Sequence, residues 1–237
     1  MKYQGGKSRI VKHLAPFLLE GLSGHGGRLV EPFVGGFNIV PEVSDSITEA
    51  LCLDIHPGLI SLYLALSKGW VPPCDVTENE YCRLRQERDW SNPMTAFVAF
   101  GCSFGGKEWG GYARSRKTTR NYAREGCTRL LSKVPSIQKC AFENVSYDQL
   151  DEPLDALIYA DPPYRDTLSY TKTPFDHEKF YLWCEHHARC GSTVLVSEFF
   201  VPPRRGWDVI WERERAVTMA LADSNERKTE RLILVSA

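Results

Sequence analysis

Hydrophobic positions in the first 66 residues alternate between helical and strand-like spacing. Apolar residues recur every three or four positions over residues 8–21, which predicts an amphipathic helix. Short apolar runs at 28–32 and 50–55 predict buried strands, and residues 59–66 predict a second helix. This alternation favours an α/β fold with a largely parallel sheet.

The same alternation returns after residue 136. Residues 137–150 predict a strand followed by a turn, and residues 154–160 predict a buried strand. Asp176 is a suitable N-cap for a helix over residues 177–189, with Glu178 in its first turn. Further apolar runs predict strands at 192–197, 207–211 and 231–235.

The segment between these halves has a different character. It opens at residues 69–74 with two prolines and continues rich in aromatic, glycine and basic residues. We therefore predict two units. Residues 1–68 and 136–237 build the sheet, and residues 69–135 form an inserted domain.

Composition indicates an ordinary globular protein. Of 237 residues, 43% are hydrophobic and 25% charged, and no apolar run approaches the ~20 residues of a membrane span. The N-terminal residues do not resemble a signal peptide, so we expect a cytoplasmic protein without membrane association. The eight cysteines form no Cys-x-x-Cys pair, and we expect free thiols and no metal site. His186, His187 and Cys190 are better explained as a helix face than as metal ligands.

Charge is distributed unevenly along the chain. The formal net charge is -1, but residues 107–133 contain eight basic and only two acidic residues. Because local charge density sets the field that a polyanion meets, this segment can attract nucleic acid although the whole chain is weakly acidic.

The sharpest chemical motif is Asp161-Pro162-Pro163-Tyr164, directly after the strand predicted at 154–160. Reactive groups of α/β sheets lie just past the carboxyl ends of the strands. Two prolines make the turn rigid and remove backbone donors. The turn presents a carboxylate, a carbonyl and an aromatic ring, which suit a planar ring bearing an amino group; a rigid turn without a role is the alternative.

Three weaker motifs lie upstream. Residues 31–36 (Glu-Pro-Phe-Val-Gly-Gly) follow a predicted strand, and their glycines permit close backbone approach. Asp54 follows the next strand at about the spacing of a ribose-binding acid. Residues 3–8 (Tyr-Gln-Gly-Gly-Lys-Ser) resemble half a phosphate loop but lack its full spacing, which argues against nucleotide hydrolysis.

In this order, the four motifs resemble those of the Dam-type DNA adenine-N6 methyltransferases, including phage-encoded members. Similarity continues at residues 170–171 and 175–178, in the terminal Arg-Leu-Ile-Leu and, as in phage members, at 102–114. The resemblance implies a Rossmann-like S-adenosylmethionine-dependent methyltransferase sheet with an inserted, mainly helical DNA-recognition domain. It implies methylation of an adenine flipped out of double-stranded DNA.

The resemblance also implies the roles of individual residues. Asp161 and the Pro162 carbonyl would accept the hydrogens of the adenine amino group, Pro163 would keep the turn rigid, and Tyr164 would stack on the base. The residues implied in cofactor binding are Tyr3, Gly5, Gly6, Lys7, Glu31, Phe33, Gly35, Gly36, Asp54 and Asp161. Among them, Lys7 is a candidate partner for the polar groups of the methionine moiety. Phe37 replaces a residue that is usually small, so it either lies near the cofactor or points away.

The inserted domain is expected to contact DNA. The implied DNA-binding residues are Lys107, Arg114, Arg116, Lys117, Arg120, Tyr122 and Arg124. Trp109, Tyr112 and Tyr122 either stack on bases or form the core of the insert. Alternatives remain open: methylation of cytosine N4 or of an RNA base, or a catalytically silent DNA-binding protein. The basic insert disfavours a small-molecule substrate, and no obligatory protein partner is implied.

Overall fold

The computed structural model describes residues 1–115, 119–150, 152–165, 174–216 and 227–236. Within these ranges, seven strands form one sheet in the order β3-β2-β1-β4-β5-β7-β6. The strands are β1 (Arg28–Glu31), β2 (Glu49–Leu53), β3 (Cys140–Glu143), β4 (Leu157–Ala160), β5 (Thr193–Glu198), β6 (Trp207–Ala216) and β7 (Arg227–Val235).

Five neighbouring strands, β3 to β5, run parallel, and β7 is antiparallel to both β5 and β6. The order reverses between β1 and β4, as in doubly wound dinucleotide-binding sheets, where ligands bind past the carboxyl ends of the strands. The predicted Rossmann-like α/β fold is therefore confirmed.

Helices connect most of the parallel strands. They are α1 (Val11–Gly24), α2 (Val40–Val43), α3 (Pro57–Ser67), α4 (Glu78–Glu87), α5 (Pro93–Ala96), α6 (Tyr122–Leu131), α7 (Val134–Ile137) and α8 (His177–Arg189). A π-helical turn at Phe97–Gly101 continues α5, and short 3-10 helices lie at Lys7–Arg9, Ser44–Ser46, Phe104–Gly106 and Tyr147–Gln149. Helix α8 follows the predicted cap, because the Asp176 carboxylate accepts a hydrogen bond from the Lys179 amide at 3.0 Å.

Both faces of the sheet are buried, because successive strand residues point to opposite sides. In β4, Leu157 and Tyr159 belong to the hydrophobic cluster that includes residues of α1 and α3, whereas Ile158 and Ala160 belong to the cluster that includes residues of α8. This arrangement explains why the parallel strands are continuously apolar in sequence.

The segment 69–135 is helical in its described parts, since α4, α5, α6 and the start of α7 lie within it. Its buried side chains, such as Phe97 and Leu130, belong to the same hydrophobic cluster as Leu29 of β1. The segment therefore shares a hydrophobic core with the sheet and packs mainly on α3. None of the described helices is long and apolar enough to cross a membrane.

Candidate active site

Four carboxyl groups lie in a row where neighbouring parallel strands end. Asp54 follows β2, Glu31 ends β1, Asp161 follows β4 and Glu198 ends β5. Burial raises the pKa of each of them, and the charges of the others add to this rise at Glu31 and Glu198. The edge thus favours a ligand that carries positive charge.

Asp54 closes the glycine turn that follows β1. Its Oδ2 accepts a hydrogen bond from the Gly35 amide at 2.9 Å, and its Oδ1 accepts one from the His56 amide at 2.9 Å. The Tyr63 hydroxyl donates to the Gly35 carbonyl at 2.5 Å. The predicted cofactor residue Asp54 therefore also fixes the loop beside which a cofactor would lie.

The missing side chains of the glycine turn make room for Tyr3. A Cβ on Gly35 would lie 2.9 Å from Tyr3 Cε1, and a Cβ on Gly36 would lie 2.8 Å from Tyr3 Cβ. Gly35 also has a φ of 44°, which disfavours side chains. The structure thus brings two predicted cofactor motifs, 3–7 and 31–36, into direct contact.

Gly106 of the inserted segment supports the N-terminal strand-like stretch. The Gln4 amide donates to the Gly106 carbonyl at 3.0 Å. A Cβ on Gly106 would lie 2.7 Å from the carbonyl carbon of Lys2 and 2.8 Å from the Tyr3 nitrogen. Residues 104–106 therefore form part of the wall behind Tyr3. Gly5 has open space around it, and the Cβ position of Gly6 lies 2.9 Å from Asn38 Nδ2.

Lys133 is a residue of the site that the sequence did not reveal. Its Nζ donates to the carbonyls of Gly36 and Phe37 at 2.9 and 2.6 Å and to Asn38 Oδ1 at 3.0 Å. Burial lowers the pKa of Lys133 to about 8. In the sequence this lysine belongs to the basic run at residues 107–133. In the structure its ammonium binds the glycine turn instead of facing solvent.

Phe37 points away from the strand-end crevice. Its side chain is fully buried and packs against Tyr63 and Phe142, with ring centroids 5.4 and 5.7 Å away. Its φ of 51° is strained for a non-glycine residue and is held by this packing. The bulky residue therefore leaves the crevice open.

The Asp-Pro-Pro-Tyr turn meets the N-terminal motif through Lys7. Lys7 Nζ donates to Asp161 Oδ1 at 2.6 Å and to the Tyr164 hydroxyl at 2.5 Å. Its side chain is 4% exposed and Asp161 is 20% exposed. Glu230 of β7 accepts a hydrogen bond from the Tyr164 hydroxyl and lies 3.5 Å from Lys7 Nζ. The sequence suggests Lys7 as a partner for the methionine moiety, whereas the structure pairs it with Asp161, and no sequence motif marks Glu230.

Burial and Lys7 act in opposite directions on Asp161. Burial raises the pKa of the Asp161 carboxyl, the nearby Lys7 ammonium lowers it, and Glu230 raises it again. The resulting pKa lies above the usual aspartate value. Asp161 therefore loses its proton at a higher pH than an ordinary aspartate does.

Glu31 has a buried oxygen without a partner. Glu31 is 2% exposed, and among the described residues its Oε2 has no hydrogen-bond partner. An orphaned carboxyl oxygen is costly unless a ligand satisfies it. Phe33, the other predicted residue of this turn, packs instead on Tyr147 and Phe180 at 5.4 and 5.7 Å.

The turn after β4 is also held from β5. Glu198 accepts hydrogen bonds from the Phe199 amide at 2.7 Å and from the Arg165 amide at 3.3 Å. Burial raises the pKa of Glu198 to about 7. Glu198 and Glu230 were both missed in the sequence, although each adjoins an apolar strand segment.

The predicted DNA-binding residues that the structure describes lie at the surface. Lys107 is exposed. Arg114 pairs with Glu78 at 3.1 Å and Arg124 with Asp75 at 3.4 Å. Arg120 pairs with Glu125 and lies over the Tyr122 ring, 4.8 Å from its centroid. The predicted Arg116 and Lys117, like Tyr170 and Thr171, lie outside the described residues.

These ion pairs leave the basic groups accessible to an anionic ligand. Exposed pairs contribute little free energy, so phosphates can replace their acidic partners. A shallow depression of about 400 Å³ runs beside α6 and is lined by Thr119, Asn121, Arg124, Glu125, Thr128 and Arg129.

Of the three aromatic residues expected either to stack on bases or to form the core of the insert, Trp109 and Tyr112 pack inside segment 69–135. Trp109 is 7% exposed and packs on Tyr81 at 5.3 Å, while the Tyr112 hydroxyl donates to the Val76 carbonyl at 2.6 Å. Base stacking by Trp109 is therefore excluded by its burial. Tyr122 keeps a partly exposed ring beneath Arg120.

The histidines of α8 serve other contacts. His187 is buried with its Nε2 2.9 Å from the Leu150 carbonyl, and His186 lies 3.7 Å from the Cys190 sulfur. Within the described ranges, no group of three or more His, Cys, Asp or Glu side chains could hold a metal ion.

Two of the solved structures that match the chain come from bacteria. One is the Haemophilus influenzae protein HI0767, a provisionally assigned methylase, with 12% identity, a TM-score of 0.39 and coverage of 97% of this chain and 98% of that one. The other is yhhF from Escherichia coli, a provisionally assigned methyltransferase, with 11% identity, a TM-score of 0.39 and coverage of 97% and 85%. With TM-scores this low, neither structure is used to infer the function of this chain.

The family comparison is more specific. No curated protein matches the chain. Residues 3–98, which contain the N-terminal motif, the glycine turn and Asp54, match the family model of the D12 class N6 adenine-specific DNA methyltransferases. Asp161 and the turn around it lie beyond the matched residues, and the Lys7–Asp161 contact joins them to the matched part. The resemblance that the motifs predict is thus confirmed over residues 3–98: this part of the chain matches the D12 class of N6 adenine-specific DNA methyltransferases.

Proposed function

We propose that the protein transfers a methyl group from S-adenosylmethionine to the N6 amino group of an adenine in double-stranded DNA. The observation that carries the proposal is the meeting of three motifs at one sheet edge. Lys7, the glycine turn and Asp161 come from three distant parts of the chain, and Lys7 bonds Asp161 at 2.6 Å. The family match over residues 3–98 supports the same reaction.

The residues at the edge fit S-adenosylmethionine. The ligand carries a sulfonium and an ammonium, and the strand ends present Glu31, Asp54 and Asp161. A cationic group would satisfy the orphaned Glu31 oxygen and offset the cost of its burial. Asp54 and the glycine turn are suited to the ribose, with Tyr3 closing the crevice from the N-terminal side. When bound, S-adenosylmethionine supplies an electrophilic methyl group on a good leaving group.

The turn after β4 would orient the target. Asp161 and the Pro162 carbonyl accept the two hydrogens of the adenine amino group, so that its lone pair is directed at the methyl group. The Tyr164 ring provides a face for the flipped base. Alignment accounts for much of the rate, because the reacting atoms lose their freedom before the reaction. Asp161 also stabilises the positive charge that develops on N6 and takes up its proton.

The segment 69–135 would act as the recognition domain. Its exposed basic residues are suited to phosphates, which fix the position of the protein on DNA without reading sequence. Adenine must leave the duplex to reach the strand ends, as in other enzymes that modify bases.

The first test is methyl transfer from radiolabelled S-adenosylmethionine to unmethylated genomic DNA, followed by digestion to nucleosides and mass spectrometry. We expect N6-methyladenine. Asp161→Ala should lower the rate by roughly a hundredfold or more, because it removes the group that stabilises N6. Cofactor affinity, measured by calorimetry, should stay within a few-fold of the wild type, since Glu31 and Asp54 remain.

The matched control is Asp208→Ala, which removes an exposed carboxylate from β6. This variant should keep the wild-type rate. N4-methylcytosine as product, or methylation of RNA alone, would replace adenine in DNA as the target. Failure to bind S-adenosylmethionine would favour a silent DNA-binding protein. Full activity of Asp161→Ala would refute the role of the carboxylate.

A further inference from the structure

Lys7 lies between two acidic side chains from different parts of the fold. Its Nζ is 2.6 Å from Asp161 Oδ1 and 3.5 Å from Glu230 Oε1. The Tyr164 hydroxyl connects them, because it accepts from Lys7 at 2.5 Å and donates to Glu230. Lys7 and Glu230 are 4% and 1% exposed, so neither has ready access to water as a substitute partner.

This arrangement poses a problem for the proposed reaction. Lys7 occupies one oxygen of Asp161, the group that is to accept a hydrogen from the target amino group. An ammonium held this close would also oppose the positive charge that develops on the target nitrogen. A buried lysine that simply left Asp161 would lose a charged hydrogen bond and carry an uncompensated charge.

We propose that Glu230 is a positioning residue that receives Lys7 when the target amino group reaches Asp161. The inference rests on the proposed function. A small change in the Lys7 side chain exchanges its contact with Asp161 for a closer one with Glu230. The ammonium stays paired throughout, and Asp161 becomes available to the amino group.

The position of Glu230 suits this role. It lies in β7 and pairs with Arg213 of β6, which fixes its backbone from that side. In β7, Arg231 pairs with Glu198, so Glu230 continues just past the end of β5. Its hydrogen bond from Tyr164 ties it to the turn that carries Asp161. A carboxylate outside the parallel strands therefore reaches the site from the neighbouring antiparallel strand.

The first measurement follows the Lys7 ammonium by NMR of isotope-labelled lysine side chains in the full chain, with Lys7→Met to assign the signal. This measurement does not depend on methyltransferase activity. We expect a protected Lys7 signal in the wild type, faster hydrogen exchange in Glu230→Gln, and a signal that persists in Asp161→Asn because Glu230 still holds it. An unchanged Lys7 signal in Glu230→Gln would overturn the proposal.

The second measurement is a double-mutant cycle of single-turnover methylation. Glu230→Gln should slow the step roughly tenfold or more, with little change in the affinity for S-adenosylmethionine or DNA. In the Lys7→Met background, Glu230→Gln should cost little more, because its partner is gone. Additive losses, or a full rate in Glu230→Gln, would overturn the proposal.

Glu230→Asp keeps a carboxylate, so its methylation rate should lie between those of Glu230→Gln and the wild type. If Glu230→Gln proves unstable, this variant still distinguishes the effect of the charge from that of side-chain packing. The matched control is Glu212→Gln, at an exposed carboxylate of β6 that pairs with Arg231 at 3.3 Å, and it should behave as the wild type. If the wild type methylates no adenine, the proposed function fails, while the lysine spectra still decide whether Glu230 holds Lys7.

Discussion

Glu198 is a buried acid whose charge the fold disfavours. Burial raises its pKa to about 7 from a usual value of 4.5. The protonated form is therefore favoured in the folded protein, and its contribution to stability is complete below about pH 4.5 and is lost as the pH rises to about 7. Glu198→Gln, which is neutral at every pH, should remove this part of the pH dependence of unfolding.

The measurement is the free energy of unfolding by urea at several pH values across that window. The wild type should lose more stability than Glu198→Gln between about pH 4.5 and 7. Glu143→Gln changes an exposed glutamate at the end of β3 and serves as the control, with the wild-type dependence. Parallel curves for the wild type and Glu198→Gln would contradict the prediction.

The sequence revealed the residues whose motifs are local. Asp54 and Asp161 stand next to predicted strands, and strand ends are where an α/β sheet binds ligands. Glu198 follows the strand predicted at 192–197 in the same way, but no motif marks it. Lys133 and Glu230 carry no such signal, because their roles depend on distant partners. Lys133 bonds a carbonyl 96 positions away. Such contacts follow from the packing of elements, which a local pattern does not contain.

At the scale of elements, the docking of the N-terminal stretch on residues 104–106 leads to a matched comparison of two glycines. Gly105 and Gly106 both have positive φ, 68° and 71°. A Cβ on Gly105 has open space, whereas one on Gly106 would meet Lys2 and Tyr3 backbone atoms within 2.9 Å. Both alanine variants should lose about 1–2 kcal/mol to backbone strain, and Gly106→Ala should also displace Tyr3 and weaken cofactor binding.

Urea unfolding gives the stabilities, and calorimetry with S-adenosylmethionine gives the affinities. If Tyr3 closes the crevice as proposed, we expect Gly105→Ala to bind the cofactor as the wild type does and Gly106→Ala to bind it several-fold more weakly. Equal affinities in the two variants would mean that the inserted segment does not support the cofactor site.

The elements that could be predicted are those that are largely buried, on both faces for a parallel strand or on one face for a helix. The parallel strands and α8 appeared close to their observed bounds, since burial imposes an apolar pattern. Strands β6 and β7 extend well beyond their predicted runs, because residues 212–216 and 227–230 are mostly polar and pair with each other. The helices of segment 69–135 were expected only as a class, because their aromatic and basic residues follow no simple period.

At the scale of the whole molecule, acidic and basic side chains are concentrated in different places. Carboxyl groups gather at the strand ends, and exposed basic residues lie in segment 69–135. If that segment binds phosphates, the logarithm of DNA affinity should fall linearly with the logarithm of salt concentration. Arg124→Ala should weaken binding on all DNA sequences alike and reduce the salt slope by about 1.

Fluorescence anisotropy of labelled duplexes at a series of salt concentrations measures both quantities. Lys12→Ala, at an exposed lysine of α1, is the control and should leave the slope unchanged. If neither Arg124→Ala nor Lys12→Ala changes the salt slope of DNA affinity, Arg124 does not belong to the DNA-binding surface.

The hydrophobic cluster that joins segment 69–135 to the sheet bears on how such proteins diversify. Phe97 and Leu130 belong to the same hydrophobic cluster as Leu29 of β1 and Leu157 of β4, so the segment does not have a core of its own. Exchanging the whole segment for that of a relative would replace about a third of the buried residues in this cluster, and the hybrid would lose its close packing. If segment 69–135 reads DNA as proposed, new sequence preferences are therefore more accessible through substitutions on the outer face of α6 and at residues 107–114 than through recombination of entire segments.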